Sequence, residues 1–461
     1  MLVRFVLLFT LPISDPTEAR YAEIARKMLA SGDWITQQFD AGVPFWGKPP
    51  LSTWLSAASM GLFGVNEFGA RFPSWLISLT IIGLTFDLGR RRDRLMNAAL
   101  AAAILSSTAL FFVSAGAVMT DEALALGTTL AMWSFWRSVA AEGETARATG
   151  FTFFVGIAVG MLAKGPVALV LVLLPVGAWT LARGRLGETW RRLPWVSGTL
   201  LAILIAVPWY VVAEQRTPGF LEYFLVGEHW YRFTEPAWKG DLYGSAHLRP
   251  LGFIWILALA GAFPWWLIAT AFGGAAIARR AVRAPARDDW MIYLACWMFA
   301  PLAFFSFAHN ILWTYALPGL PAFALIVANV IGPRATRWRY ALAGAASLAP
   351  AAAALAVALV LPRYLPDWSH KALVDTYLRL RTGPAERLVY LSPMPRSAEF
   401  YSRGEALAIG AREDVTRRIA VPTRNFFAVR EGDWPRFPVE VRTDLDVVQR
   451  FGAFLLLRKR T

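Results

Sequence analysis

Ser14-Asp15-Pro16-Thr17-Glu18-Ala19-Arg20-Tyr21-Ala22-Glu23-Ile24-Ala25-Arg26-Lys27-Met28-Leu29-Ala30-Ser31-Gly32-Asp33-Trp34, closed by Gly47-Lys48-Pro49-Pro50-Leu51, is the stretch that decides how this chain is read. It is dense in charge yet lies between apolar segments. Charge beside a bilayer is tolerated where it faces water or a lined cavity, so a long charged loop between spans marks a functional site by default.

The flanks of that loop set the class. Of 461 residues, 56% are hydrophobic and only 17% charged, and the mean hydropathy of +0.44 is too apolar for an ordinary soluble domain. The chain reads as a polytopic membrane protein. Apolar segments run Phe72 to Gly89, Met96 to Val113, Glu122 to Trp136, Phe151 to Ala163, Val167 to Leu181, Val196 to Ala213, Leu251 to Ala278, Trp290 to Phe307, Ile311 to Ile331 and Ala341 to Leu361. Several are shorter than the roughly 20 residues of a perpendicular span, so their helices must extend into flanking polar residues. Met1 to Ile13 is apolar but too short to cross, and reads as a truncated first span. The lone Cys296 lies in an apolar run and reads as a small buried hydrophobe; one cysteine excludes an internal disulfide or thiolate cluster.

Net charge is +14, but its distribution argues against nucleic acid. Arg90 to Arg94, Arg183 to Arg192, Arg279 to Arg287 and Arg334 to Arg339 each sit between two spans, and Arg137 to Arg147 makes a fifth. Alternating crossings put these basic loops on one side, the cytoplasmic one by the positive-inside rule, provided Leu51 to Val65 lies along the interface. Asp15, Asp121, Lys164, the loop holding His229, His309 and everything after Leu361 then face the other side. After Leu361 the composition turns polar. Leu388 to Leu391, Ala406 to Ile409, Phe426 to Val429 and Phe451 to Leu457 read as short strands, with Ser397 to Ser402 and Glu413 to Ile419 helical between them. The expected organisation is a membrane domain over 1–361 with a large external loop at about 14–66 and a small soluble α/β domain over 362–461.

The loop wording resembles the bacterial lipid A aminoarabinose transferases, integral-membrane glycosyltransferases of the GT-C class that take their sugar from a polyprenyl phosphate, and more broadly the dolichyl-phosphate-mannose-protein mannosyltransferases. Glu18 to Glu23 with Met28 to Ile35 is similar to the family's acidic first motif, Lys48-Pro49 to its lysine-proline step, and Asn66 to Arg71 follows at the family spacing. Val118-Met119-Thr120-Asp121 resembles the second acidic loop, Ala163-Lys164-Gly165 the threonine-lysine-glycine step, Glu228 to Phe233 the histidine and arginine loop, and Thr314-Tyr315 the tyrosine near a later span. Two departures stand out. Thr17-Glu18 replaces the usual Asp-Glu pair, with Asp15 two residues earlier, so the catalytic aspartate is displaced or the loop bulges; and Gly47 replaces an acid that the family associates with a metal site and acceptor recognition.

The resemblance implies an all-α, GT-C-like membrane domain of about 11 to 13 spans with a small C-terminal α/β periplasmic domain, in a bacterial inner membrane with the active site outside. It implies an undecaprenyl-phosphate-linked sugar as donor and lipid A or another envelope glycolipid as acceptor, by an inverting transfer. A lipid-linked sugar departs as a phosphate, so cations and donors must stabilise the charge growing there. Arg20, Lys48, Lys164 and Arg232 are the candidate cations, Tyr21, His229 and Tyr315 further substrate-binding residues, and Asp15, Glu18 or Asp121 the candidate catalytic carboxylate. A base deprotonates a hydroxyl acceptor; a phosphate acceptor is already ionised and needs it less. No His and carboxylate spacing reads as a zinc site, while the resemblance keeps a divalent metal open.

Each residue also has a plainer reading. Asp15 before Pro16 suits a helix cap, Lys48 an interfacial anchor, Asp121 a charge complementing a helix dipole, and His229 and Arg232 solvated loop positions. Two alternatives of function remain beside the glycolipid enzyme: a protein O-mannosyltransferase-like activity, and a lipid or sugar transporter, against which no paired repeat with broken helices is found.

Overall fold

The structure is a computed structural model that describes all residues except 93–94, 141–144, 245–246, 279–287, 332–351, 353–366, 410–424 and 461. The span expected at Ala341 to Leu361 (Ala352 apart), the basic loops Arg279 to Arg287 and Arg334 to Arg339, and the helix expected at Glu413 to Ile419 lie outside the described residues.

Helices dominate. Glu67–Arg91, Trp195–Arg216 and Trp313–Ile331 are long and apolar enough to cross a membrane. Ile254–Gly261 and Trp265–Ala271 pass the same test together but bend by 88° at their break, so the run read as one segment from Leu251 to Ala278 is two helices. Pro264 explains the break, because it lacks the N–H that would continue the ladder. Met96 to Val113 is likewise divided into Leu95–Ser107 and Ala109–Ser114. The helices Leu95–Ser107, Val167–Ala182 and Asp289–Phe305 are apolar but shorter, at most 17 residues. At 1.5 Å per residue such a helix falls short of a hydrocarbon core about 30 Å thick.

The chain forms two compact units that interleave along the sequence: Met1–Phe5, Asp33–Leu55 and Arg71–Ala352 in the first, and Val6–Gly32, Ser56–Ala70 and Ala353–Thr461 in the second.

In the first unit the helices Asp121–Ala140 and Thr145–Lys164 form an antiparallel hairpin. They approach backbone to backbone: a Cβ on Gly127 would lie 2.6 Å from the Gly160 nitrogen, and one on Gly156 2.6 Å from the Ala131 nitrogen. Small residues four apart permit this contact, which in lipid is driven by packing rather than by the hydrophobic effect. The hairpin returns Lys164, at the end of its second helix, to Asp121, at the start of its first.

In the second unit the first-loop helix Thr17–Ser31 buries Ala19, Ala22, Ile24, Ala25 and Met28, a stripe at helical spacing. It stops at Gly32, whose φ of 70° suits glycine and whose N–H closes on the Met28 carbonyl. The tail builds a five-stranded sheet. With β1 Gln38–Asp40 and β2 Val43–Pro44 as a separate hairpin, its strands are β3 Leu388–Tyr390, β4 Leu407–Ala408, β5 Phe426–Arg430, β6 Leu445–Phe451 and β7 Phe454–Lys459, in the order β4-β3-β5-β7-β6. β3 pairs parallel with β4 and β5, while β7 pairs antiparallel with β5 and β6. Central strands are apolar throughout because both faces are covered. Leu388, Tyr390, Phe426, Ala428 and Leu456 pack with Leu373, Val374 and Tyr377 on one face, while Val389, Phe427, Val429, Leu455 and Leu457 pack with Val441 on the other.

Candidate functional site

Seven charged or phenolic side chains gather in the first unit from five separate stretches of sequence. Lys164 Nζ lies 2.5 Å from Asp121 Oδ1, the pair made by the helical hairpin. The same ammonium sits 4.4 Å from the centre of the Tyr315 ring, a cation–π contact. Lys48, held on the closing turn of the first loop, reaches Glu228 Oε2 at 2.7 Å. Arg232 Nη1 bridges Glu228 Oε1 at 3.0 Å and Asp241 Oδ2 at 3.2 Å, and Tyr315 is a close electrostatic neighbour of Arg232.

Glu228, His229 and Arg232 owe their placement to a π-helical turn, Tyr223–Tyr231, that runs into Arg232–Thr234. Wide turns of this kind recur at functional sites because they re-aim side chains within a helix. Asn310 Nδ2 fixes the far end by donating to the carbonyls of Arg232 at 2.6 Å and Glu235 at 3.0 Å. His229 locks the near end. Its Nδ1 lies 2.7 Å from the Phe224 carbonyl oxygen and its Nε2 3.2 Å from that of Lys164, so the ring sits between the π turn and the hairpin and, when neutral, donates to one of the two. Burial holds the imidazole below its ordinary pKa.

The electrostatics of this cluster are internally balanced. Burial pushes Glu228 up, but the charges and hydrogen bonds of Lys48 and Arg232 outweigh it and bring the carboxylate down to about 2. The guanidinium of Arg232 is correspondingly held above its ordinary value. Two donor sets stay open. The hydrogen bonds of Arg232 all run through Nη1, leaving its Nε and Nη2 edge without a protein partner among the described residues. The Tyr315 hydroxyl has no hydrogen-bond partner among them either. A planar edge with two parallel donors, flanked by ammonium groups and a phenol, suits a phosphate oxygen pair.

The remaining predicted residues belong to the second unit. Asp15 does not cap the first-loop helix, whose N-cap is Pro16 without a side-chain bond. Its carboxylate accepts instead from Ser397: the Ser397 N–H donates to Oδ1 at 3.0 Å and the Ser397 hydroxyl to Oδ2. Burial raises the Asp15 pKa, and the Ser397 bonds oppose it. Glu18 accepts from the N–H and hydroxyl of Ser14 at 3.1 and 3.2 Å, closing the helix entrance in the manner of a capping box. Arg20 and Tyr21 are half-buried on the same helix, and Arg20 has no side-chain partner among the described residues. A charged seam lies one turn further on. Arg26 grips the buried Glu23 with two bonds of 2.7 Å, while Lys27 and Arg396 bind Glu399 at 2.6 and 2.8 Å.

Glu228 and Asp241 were not singled out from sequence. Glu228 had a visible signal, an acid four residues before Arg232 in a helical stretch; Asp241, nine residues on in an irregular loop, had none. The metal was tested on the donor set. Among the described residues no three His, Cys, Asp or Glu side chains converge. A Cβ on Gly47, where the resemblance expects an acid, would lie 2.9 Å from the Phe45 ring, so an aromatic ring occupies that space. The described residues therefore do not fit a divalent metal.

Long apolar helices, a charged loop between them and a cation cluster at helix ends define the class: this is a helix-rich membrane protein with the GT-C glycosyltransferase fold. ArnT from Cupriavidus metallidurans, solved bound to undecaprenyl phosphate, superposes with a TM-score of 0.78 at 22% identity, over 99% of this chain and 96% of that one. The dolichyl-phosphate-mannose-protein mannosyltransferase family model matches residues 8–224. Within the class, the chain resembles the aminoarabinose transferases. It is 31% identical to the undecaprenyl phosphate-alpha-4-amino-4-deoxy-L-arabinose arabinosyl transferase 1 of Pseudomonas fluorescens over 73% of this chain and 57% of that relative. The corresponding enzyme of Edwardsiella ictaluri is 32% identical over 71% and 58%. The chain thus spans less than two thirds of the length of the curated relatives it matches.

Proposed function

We propose that this protein is a membrane glycosyltransferase that moves a sugar from undecaprenyl phosphate to lipid A or another envelope glycolipid at the periplasmic face of a bacterial inner membrane. The observation that carries the reading is the gathering of Lys48, Lys164, Arg232 and the Tyr315 hydroxyl, with one guanidinium edge open, in a protein sharing its fold with one solved on undecaprenyl phosphate. Those groups take the donor phosphate, while His229, whose ring nitrogens both face backbone carbonyls, shapes the turn that carries Arg232. The bond from the anomeric carbon to the phosphate oxygen breaks, and its electron pair leaves with the phosphate. The acceptor oxygen bonds the anomeric carbon from the opposite face, with inversion, and gives its proton to a carboxylate. Asp15 suits that role better than Glu18 or Asp121: its pKa is raised, chiefly by burial, and no cation hydrogen-bonds it.

The proposal carries the domain order and topology with it: 11 to 13 crossings, on the order expected for the class, a catalytic membrane part over 1–361 and a periplasmic soluble part over 362–461. Cysteine probes at the exposed positions Lys239 and Glu440 should then react with an impermeant reagent in outer-permeabilised cells, and one at Gly184 should not; the reverse pattern would put the chemistry in the cytoplasm. Mass spectrometry of lipid A and other envelope glycolipids, from cells with and without the protein, tests the acceptor. An unchanged glycolipid profile with altered glycoproteins would transfer the assignment to protein hydroxyls, the reading that the mannosyltransferase match over 8–224 favours.

A further inference from the structure

We infer that Ser397, in the C-terminal part of the chain, is a positioning residue for the carboxylate of Asp15. The inference rests on the reading of Asp15 as the base. Its geometry is specific. Ser397 is fully buried, and its backbone N–H and hydroxyl serve the two different oxygens of one carboxylate. The hydroxyl is itself oriented, because the His370 N–H donates to Ser397 Oγ at 2.9 Å and leaves the hydroxyl hydrogen to point at Asp15. The Asp15 N–H donates to the Trp368 carbonyl at 2.8 Å, so the backbone carrying the carboxylate is held by the same segment that orients its partner. A carboxylate fixed at both oxygens and at its own amide has lost the rotamer freedom that would let it turn from an acceptor hydroxyl.

Such donors also favour the ionised form, the form a base needs, against the burial that disfavours it. The other groups facing Asp15 are Arg396 on the helix of Ser397, whose charge and N–H also favour ionisation, Tyr390 on β3, and His370 behind Ser397, held neutral at a pKa of about 4 chiefly by burial. Removing the Ser397 hydroxyl therefore raises the Asp15 pKa and moves the acid limb of the rate profile to higher pH.

The test compares parent, Ser397→Ala, Ser397→Thr and Asp15→Asn as full chains in nanodiscs. Transfer of 4-amino-4-deoxy-L-arabinose from undecaprenyl phosphate to lipid A is followed from pH 5 to 9, and the titration of the Asp15 carboxyl by isotope-edited infrared spectroscopy, with Asp15→Asn as the subtraction. Ser397→Ala should lower kcat by about tenfold with little change in KM for the donor, and shift both the acid limb and the infrared midpoint upward by about one pH unit. Ser397→Thr, which keeps the hydroxyl, should restore the midpoint. If Asp15→Asn turns over normally, the reading of Asp15 as base fails, whatever Ser397 does. If Asp15→Asn is inactive while Ser397→Ala leaves the acid limb and the infrared midpoint at the parent's values, the inference about Ser397 is overturned and the base assignment stands. The infrared arm needs no turnover, so it decides the contact even if this sugar is not the one transferred.

Discussion

The cation cluster of the first unit and the acidic first loop of the second solve opposite electrostatic problems. In the cluster each carboxylate bonds an ammonium or guanidinium: Glu228 lies between Lys48 and Arg232 and is held at about 2 despite its burial. In the loop, Asp15 is hydrogen-bonded by a hydroxyl and backbone N–H groups, with the Arg396 charge nearby but not hydrogen-bonded to it through its side chain, and its pKa rises, chiefly through burial. Ion pairs make a carboxylate inert as a base; dipoles leave it poised. Under the proposed function, the two environments fit different roles: the cluster to hold an anion, and the loop acid to accept a proton.

The largest test breaks the cluster's balance. Glu228→Gln leaves two half-buried cations without their shared counter-charge, Arg232 keeping only Asp241, and should cost about 3 kcal/mol of stability, read as a lowered thermal midpoint in detergent. The parent should show the same dependence through pH. Because the folded pKa of Glu228 lies below its ordinary 4.5, its stabilisation is complete above about 4.5 and lost as the pH falls toward about 2. Melts between pH 6 and pH 3 check this, and a flat profile would mean that Glu228 is not paired as described.

Asp15→Asn tests the other side of the contrast. It should fold, bind donor lipid and lose turnover by about a hundredfold or more. Normal turnover in this variant and in Glu18→Gln would move the base to Asp121. Lys48→Ala should weaken binding of undecaprenyl phosphate by about ten- to a hundredfold, the range of one charge-assisted contact, with Lys48→Arg restoring part of it. Binding in nanodiscs at parental affinity would make Lys48 an interfacial anchor. Tyr315→Phe keeps the ring over Lys164 and removes only the open hydroxyl, so about a fivefold loss in the same measurement is expected. The smallest effect belongs to a pair outside both regions. Arg216 meets Asp33 at 2.9 Å with half of its side chain exposed, so Arg216→Ala should change stability by less than about 1 kcal/mol and leave turnover intact.

Much of this site was visible along the chain, unevenly. Lys48, Asp121, Lys164, Arg232 and Tyr315 stand out through their likeness to the family's motifs, and the structure brings these five together. His229 was read from the same motif as a substrate residue, yet both ring nitrogens face backbone carbonyls while its neighbour Glu228 meets Lys48. The π turn makes that difference, since one extra residue per turn rotates the side chains that follow, and no periodicity argument anticipates it. Four tail strands were legible as apolar runs, but β6, with its polar alternation, was not, and the run read from Phe451 to Leu457 takes in the turn between β6 and β7. The strand order and the two faces they cover were not legible either, because pairing register depends on partners far away in the chain.

Sequence alone determined the membrane character, the charged loop between apolar segments and the resemblance to polyprenyl-phosphate glycosyltransferases. The first two rest on local composition, which hydropathy records directly; the third rests on likeness of short motifs to those of a known family. Tertiary structure alone decided which carboxylate pairs with which cation, that Gly47 makes room for Phe45 where an acid was expected, and that Asp15 is held by a serine 382 residues further on. A hydrogen bond reaches only about 3 Å, and nothing in the local chemistry of either residue specifies a partner so distant in sequence; that choice belongs to the packing that brings the two segments together.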